Sequence, residues 1–192
     1  MTTRSFAAAT LVVLLGACAS TASRGVFDQL PLFGADGKAH FAFYYSCAGS
    51  VSQETELCSA PANDFSTWAE EHHVSLRRVP KDDFDEHSGV AAGKRSSRDK
   101  DLPYRVFVRF APVALPSVQW ALTTDVKGGY TPPKAGYVAD VFVYDAANSK
   151  LAAETHLSNK VDAKDKADPT PYVHQGAAAV LAALAPRAAA PN

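Results

Sequence analysis

Residues 104–110, YRVFVRF, alternate without a break: Tyr104, Val106, Val108 and Phe110 fall on one side of an extended chain, Arg105, Phe107 and Arg109 on the other. A strand has a side-chain period of two, so this stretch predicts a β-strand whose first face must be buried. The fold therefore contains a sheet with something laid across it. Other segments share the period. HFAFYYS at 40–46 sets Phe41, Phe43 and Tyr45 against His40, Ala42 and Tyr44, and residues 74–80 set Val74, Leu76 and Arg78 against Ser75, Arg77 and Val79. SVQWALTT at 117–124 predicts a further strand, reached through Pro112 and Pro116. GYVADVFVYD at 136–145 and LAAETHLS at 151–158 flank AANSK, the pattern of a hairpin with a longer loop. Tyr137, Ala139, Val141 and Val143 line one face of its first strand and Val138, Phe142 and Tyr144 most of the other, which predicts cover on both sides.

Two segments carry helical spacing instead. Phe65, Trp68, Ala69 and His72 recur on one helical face behind Pro61-Ala62-Asn63-Asp64, whose side chains suit a helix cap, so a short helix is expected over 64–73. Pro169-Thr170-Pro171 opens a second helix that presents Val173, Val180, Leu181 and Leu184 and stops before Pro186. The order predicts an α+β fold with a largely antiparallel sheet of about five or six strands. A short helix follows the first strand, and a C-terminal helix packs on the same face. Residues 128–133, GGYTPP, read as irregular loop, 81–103 as a long polar loop that is either solvated or a binding loop, and 160–168 as a charged linker.

The first residues lie apart from this pattern. MTTRSFAAATLVVLLGAC begins with a positive region at Arg4, continues with an apolar core over about residues 6–15 and ends in small residues, the three parts of an export signal. The core is shorter than the roughly 20 apolar residues a membrane-spanning helix needs. Its end, Leu15-Gly16-Ala17-Cys18, resembles the lipobox of bacterial lipoproteins. That resemblance implies a diacylglyceryl group on the Cys18 sulfur, cleavage before Cys18, and palmitate-like acyl chains that hold the mature chain to a membrane. Ala19, standing where aspartate would retain such a protein at the inner membrane, implies the periplasmic face of the outer membrane. The alternative is an ordinary secretory signal cut around Ala17-Cys18-Ala19. The expected organisation is thus signal 1–17, flexible tether 18–25, one α+β domain 26–186 and a frayed tail 187–192.

Removing 17 of the 192 residues leaves 175, enough for one domain with a real core. The formal charge of −1 argues against nucleic acid as a partner. With Cys18 lipidated, Cys47 and Cys58 remain, and an even remainder outside the cytosol predicts a disulfide. A pair of free buried thiols is the alternative; their spacing is not that of an exchange enzyme.

Chemistry is sparse. Glu70-Glu71-His72-His73 puts Glu70 and His73 on one helical face, half of a carboxylate-bridged metal site, but no second half follows in the sequence, so no metal and no cofactor are expected. His87-Ser88-Gly89 beside Asp85 lacks the elbow of a serine hydrolase, and Gly93-Lys94-Arg95-Ser96 lacks the first glycine of a phosphate loop. Arg105, Phe107 and Arg109, with Arg77 on a neighbouring strand, form a candidate surface for an anion or a partner; arginines lying across Phe107 on a solvated face are the plainer reading. These features predict a non-enzymatic outer-membrane lipoprotein whose periplasm-facing domain binds or braces an envelope protein, peptidoglycan or lipopolysaccharide. A small-molecule or lipid carrier using Phe43, Tyr45, Trp68, Trp120 and Tyr144, and an envelope hydrolase, are the alternatives.

Overall fold

The computed structural model describes residues 27–48, 54–80, 101–120, 129–164 and 166–185. The export signal, Cys18, the tether, residues 81–100 with their Ser88 and Gly93 motifs, the end of the strand expected at 117–124 and the tail lie outside the described residues. In chain order the elements are β1 (Phe41–Cys47), α1 (Glu54–Glu71), β2 (Ser75–Arg78), β3 (Tyr104–Leu115), β4 (Val118–Trp120), β5 (Gly129–Thr131), β6 (Lys134–Asp145), β7 (Lys150–Asp162) and α2 (Thr170–Leu184). The class is α+β. A five-stranded sheet in the order β2-β1-β3-β6-β7 forms the body, and β4 pairs with β5 in a separate two-stranded ribbon.

The main sheet is mixed where a largely antiparallel one was expected. β1 runs parallel to both β2 and β3, while β3–β6 and β6–β7 are antiparallel. The parallel join of β1 to β2 follows from α1, which carries the chain back along the sheet between them; a parallel pair needs such a crossover. All seven residues of β1 are buried, the mark of a strand covered on both faces. Several element boundaries also differ from expectation, among them that of β3, which runs on from Phe110 through Pro112, expected to lie in the connection, to Leu115 in its pairing with β6. Helix α1 begins ten residues before Asp64 and contains Pro61 within its span. Proline removes one helical hydrogen bond and usually marks a boundary. Here Leu57 and Cys58 are buried in the core and Cys58 is bonded to Cys47, so packing holds the turns before the proline in place. Residues 129–131 pair with β4 despite their glycine, and β7 continues through Asp162 into the stretch expected to be linker.

The inner face follows the period-two reading, with Tyr104 partly buried at its margin. Phe41, Phe43 and Tyr45 of β1, Val106, Val108 and Phe110 of β3, and Tyr137, Ala139, Val141 and Val143 of β6 all enter one core with Leu57, Phe65, Trp68 and Ala69 of α1 and Val173, Ala177, Val180 and Leu184 of α2. Phe65 sits at its centre, with ring centroids 5.3 Å from Phe43, 5.4 Å from Tyr45 and 6.3 Å from Phe110. Removing such a ring from water contributes about 1.5–3 kcal/mol. Helix α2 approaches the sheet closely at Gly176, where a Cβ would lie 2.6 Å from Cγ of Tyr137. The Cys47–Cys58 disulfide, Cα–Cα 5.8 Å, ties the end of β1 to the start of α1.

Candidate functional site

The opposite, outer face of the sheet gathers the polar side chains. Because register sets which residues face one another across strands, β1, β2, β3, β6 and β7 contribute to it in cross-strand rows. Arg77, Tyr44, Phe107, Phe142 and Glu154 make one row. Ser46, Arg109, Asp140 and His156 make the next. A smaller cluster of Ala42, Tyr44, Val79, Phe107 and Tyr144 fills the middle of the face, with Leu102 and Phe142 packed against it. Tyr44 stacks on Phe107 at 4.7 Å with the rings 12° from parallel, and Tyr144 meets Phe107 edge-on at 5.7 Å.

Asp140 is the hub of the polar row. Arg109 donates to its Oδ2 from Nε at 3.0 Å and from Nη2 at 2.7 Å, and His156 Nδ1 lies 2.6 Å from its Oδ1. The carboxylate side chain is only 16% exposed, whereas Arg109 is 40% and His156 60% exposed. One half-buried anion thus fixes two more exposed nitrogenous side chains, each through a charge-assisted contact when ionised. With Nδ1 committed to Asp140, the second nitrogen of His156 is left on the solvent side. The arrangement is an oriented Asp–His pair braced by an arginine. Among the described residues no serine or cysteine is hydrogen-bonded to His156.

All four residues of the expected surface lie on this outer face, but they do not form the open cationic patch anticipated. Phe107 is 1% exposed, with Tyr44 stacked on it and Tyr144 edge-on, and Arg105 is 8% exposed. Arg105 is a buried cation whose Nε has no hydrogen-bond partner. Arg77 is half-buried. The accessible part of the face is displaced toward Arg109, Asp140 and His156. Asp140 and His156 were not singled out by sequence, since they lie 16 residues apart and Asp140 lies 31 residues from Arg109. The alternating pattern of 136–145 holds the one available signal: Asp140 interrupts an otherwise apolar outer face between Val138 and Phe142.

The remaining candidates disperse. Phe43, Tyr45 and Trp68 are packed in the core while Tyr144 lies on the far side of the sheet, so these aromatics do not line one cavity. His72 stacks on Trp68 at 4.4 Å and shares a 2.9 Å hydrogen bond with that residue's carbonyl through Nδ1. His73 ends the helix with φ at 54°, the left-handed geometry of a helix terminus. Among the described residues no group of three or more His, Cys, Asp or Glu could hold a metal. On the helical layer, His174 of α2 pairs with Asp64 of α1 at 2.8 Å beside a shallow groove of about 450 Å³ lined by Trp68 and Leu181. Among the described residues no helix is long and apolar enough to cross a membrane.

No family model and no curated protein matches the chain. Among solved structures, it is similar to the PelC dodecamer from Paraburkholderia phytofirmans, at 15% identity over 79% of this chain and 93% of that one, TM-score 0.41. It is also similar to a neuraminyllactose-binding hemagglutinin homolog from Helicobacter pylori, at 8% identity over 73% and 80% of the two chains, TM-score 0.44. Lipoprotein GNA1162 from Neisseria meningitidis aligns at 12% identity over 73% of this chain and 95% of its own, TM-score 0.31.

Proposed function

We propose that the chain is a non-enzymatic lipoprotein of the bacterial outer membrane, anchored through acyl chains on Cys18, whose α+β domain binds an anionic component of the envelope. The Leu15-Gly16-Ala17-Cys18 sequence supports the anchor. The Arg109–Asp140–His156 row carries the binding reading. Its two exposed side chains are already held in place by Asp140. A partner carboxylate or phosphate meeting them does not have to order two flexible side chains, a cost of about 0.5–1.5 kcal/mol for each. Arg109 presents a planar guanidinium, the group best matched to such oxyanions.

Two experiments test this. Radiolabelled palmitate should enter the protein, and Cys18→Ala should abolish labelling and release the chain from membranes; unchanged fractionation removes the anchor. Crosslinking in intact envelopes followed by purification should recover one predominant partner from wild type and much less from Asp140→Ala. Recovery of the protein alone, or equal recovery with Asp140→Ala, removes the binding face. A hydrolase remains the second reading because an oriented Asp–His pair is also the base of hydrolytic sites. Release of soluble fragments from purified envelope by wild type but not by His156→Ala would move the assignment there.

A further inference from the structure

Among the described residues, strand β7 is the long edge of the sheet. It runs thirteen residues, Lys150–Asp162, and pairs on one side with β6; the opposite edge, β2, has four. An edge strand offers a row of unpaired amides and carbonyls, and long edges are usually blunted with proline, bulges or charge. β7 contains no proline. Its register with β6 shifts once, between the Val143 and Tyr144 pairings, where Ala152 is passed over; from Ala153 onward the ladder is regular. The regular part, residues 153–162, carries Asp162, ion-paired with Lys134 at 3.4 Å, and besides His156 two other charged side chains, Glu154 and Lys160. Both are exposed, and among the described residues neither has an ion-pair partner.

We propose that this edge is a self-association surface, and that a second copy of the chain adds its own β7 antiparallel to the first. Placed about a twofold axis with Leu157 opposite Leu157, the strands set Glu154 opposite Lys160 at both ends of the ladder, His156 opposite Ser158, Thr155 opposite Asn159 and Ala153 opposite Val161. Both unpaired charges are then matched, twice over by symmetry, and the pairing spans residues 153–161. Sliding one copy by two residues is the smallest shift that keeps face against face. In one direction it puts Glu154 opposite Asp162; in the other it puts His156 opposite itself and leaves Glu154 opposite Ser158. The charge pattern thus favours one register over its neighbours and suits a closed, isologous dimer better than an open chain of strands. Two five-stranded sheets joined in this way make one continuous sheet and bring two copies of the Asp140–His156 pair onto the same outer face.

The test uses the full chain, extracted in detergent and followed by sedimentation over a range of concentrations. Wild type should reach a concentration-dependent monomer–dimer equilibrium. Glu154→Lys places lysine opposite lysine at both ends and should raise the dissociation constant about tenfold or more, as should Lys160→Glu, since opposed like charges destabilise a cross-strand pair. The double swap E154K/K160E restores opposite charges and should bring the dissociation constant back to within about twofold of wild type. A chain monomeric at every concentration, single reversals that dimerise like wild type, or a double swap that stays weakened would each overturn the proposal.

Discussion

Gly176 offers a quantitative test of how α2 sits on the sheet. The helix is buried at this position, and a Cβ built on Gly176 would lie 2.6 Å and 2.7 Å from Cγ and Cδ2 of Tyr137 and 2.8 Å from Cε2 of Phe110. Those atoms belong to two rings stacked nearly parallel, 6.1 Å apart and 7° from coplanar, rather than to the tip of a flexible side chain. Two effects of opposite sign follow from Gly176→Ala. Alanine in a helix interior is favoured over glycine by about 0.8–1.0 kcal/mol. Overpacking of a filled core costs about 1–3 kcal/mol. The clash should win, leaving a net loss of about 1 kcal/mol, or roughly 2–4 °C in melting temperature for a chain of this size. The propensity effect can be isolated in the same helix, because Ala178 is exposed and Ala178→Gly should cost about 1 kcal/mol with no packing change. Tyr137→Ala removes one of the two rings, so in that background the penalty of Gly176→Ala should shrink, with the 2.8 Å approach to Phe110 Cε2 remaining. Urea unfolding followed by tryptophan fluorescence, Trp68 being buried beside Phe43, reports all four variants. A Gly176→Ala protein more stable than wild type with Tyr137 intact would refute the close approach of helix and sheet.

Three further outcomes are expected. Asp140→Asn should destabilise by about 1–2 kcal/mol, the lower part of the range for hydrogen bonds to charged groups because Arg109 is 40% exposed; a double-mutant cycle with Arg109→Ala that shows no coupling would mean the pair is not formed. Replacing both Cys47 and Cys58 by alanine should cost about 3 kcal/mol in the chain-entropy account of a cross-link between residues 11 apart, and an unchanged urea midpoint would contradict the bridge. Burial raises the pKa of both Tyr45 and Tyr137, with Arg78 partly opposing the shift at Tyr45. Each phenol is therefore held neutral in the fold after the unfolded chain has begun to ionise. Their contribution is complete below about pH 10 and is lost as the pH rises toward the folded value. Stability should fall more steeply as the pH rises above about 10 in wild type than in Tyr137→Phe, and equal slopes would exclude Tyr137 as a source.

Much of the domain could be read from period alone. The inner-face residues assigned to β1, β3 and β6 from alternation, from Phe41 to Val143, lie in the main core, apart from Tyr104, which is partly buried and packs against it, because a side chain on a strand has two directions and apolar groups take the one that leaves water. Strand direction is a different matter. Alternation is the same read either way along the chain, so it could not show that β1 runs parallel to its two neighbours. Pro61 misled for a related reason: its local cost is certain, but the burial of Leu57 and Cys58 that offsets it comes from residues far along the chain.

The amino-acid sequence by itself decided the class of fold, the residues of the main core, the pairing partner available to Cys47, and the resemblance at Cys18 that points to an envelope. Only the tertiary structure decided which polar groups meet. Phe107 and Arg105 were expected to form an open surface and instead are buried, Phe107 against Tyr44 and Tyr144, whereas Asp140, unremarkable in its own stretch, gathers Arg109 and His156. The physical reason is that cross-strand register brings together side chains from three strands at once, and a linear pattern of apolar and polar residues carries each strand's face but not its alignment with the next.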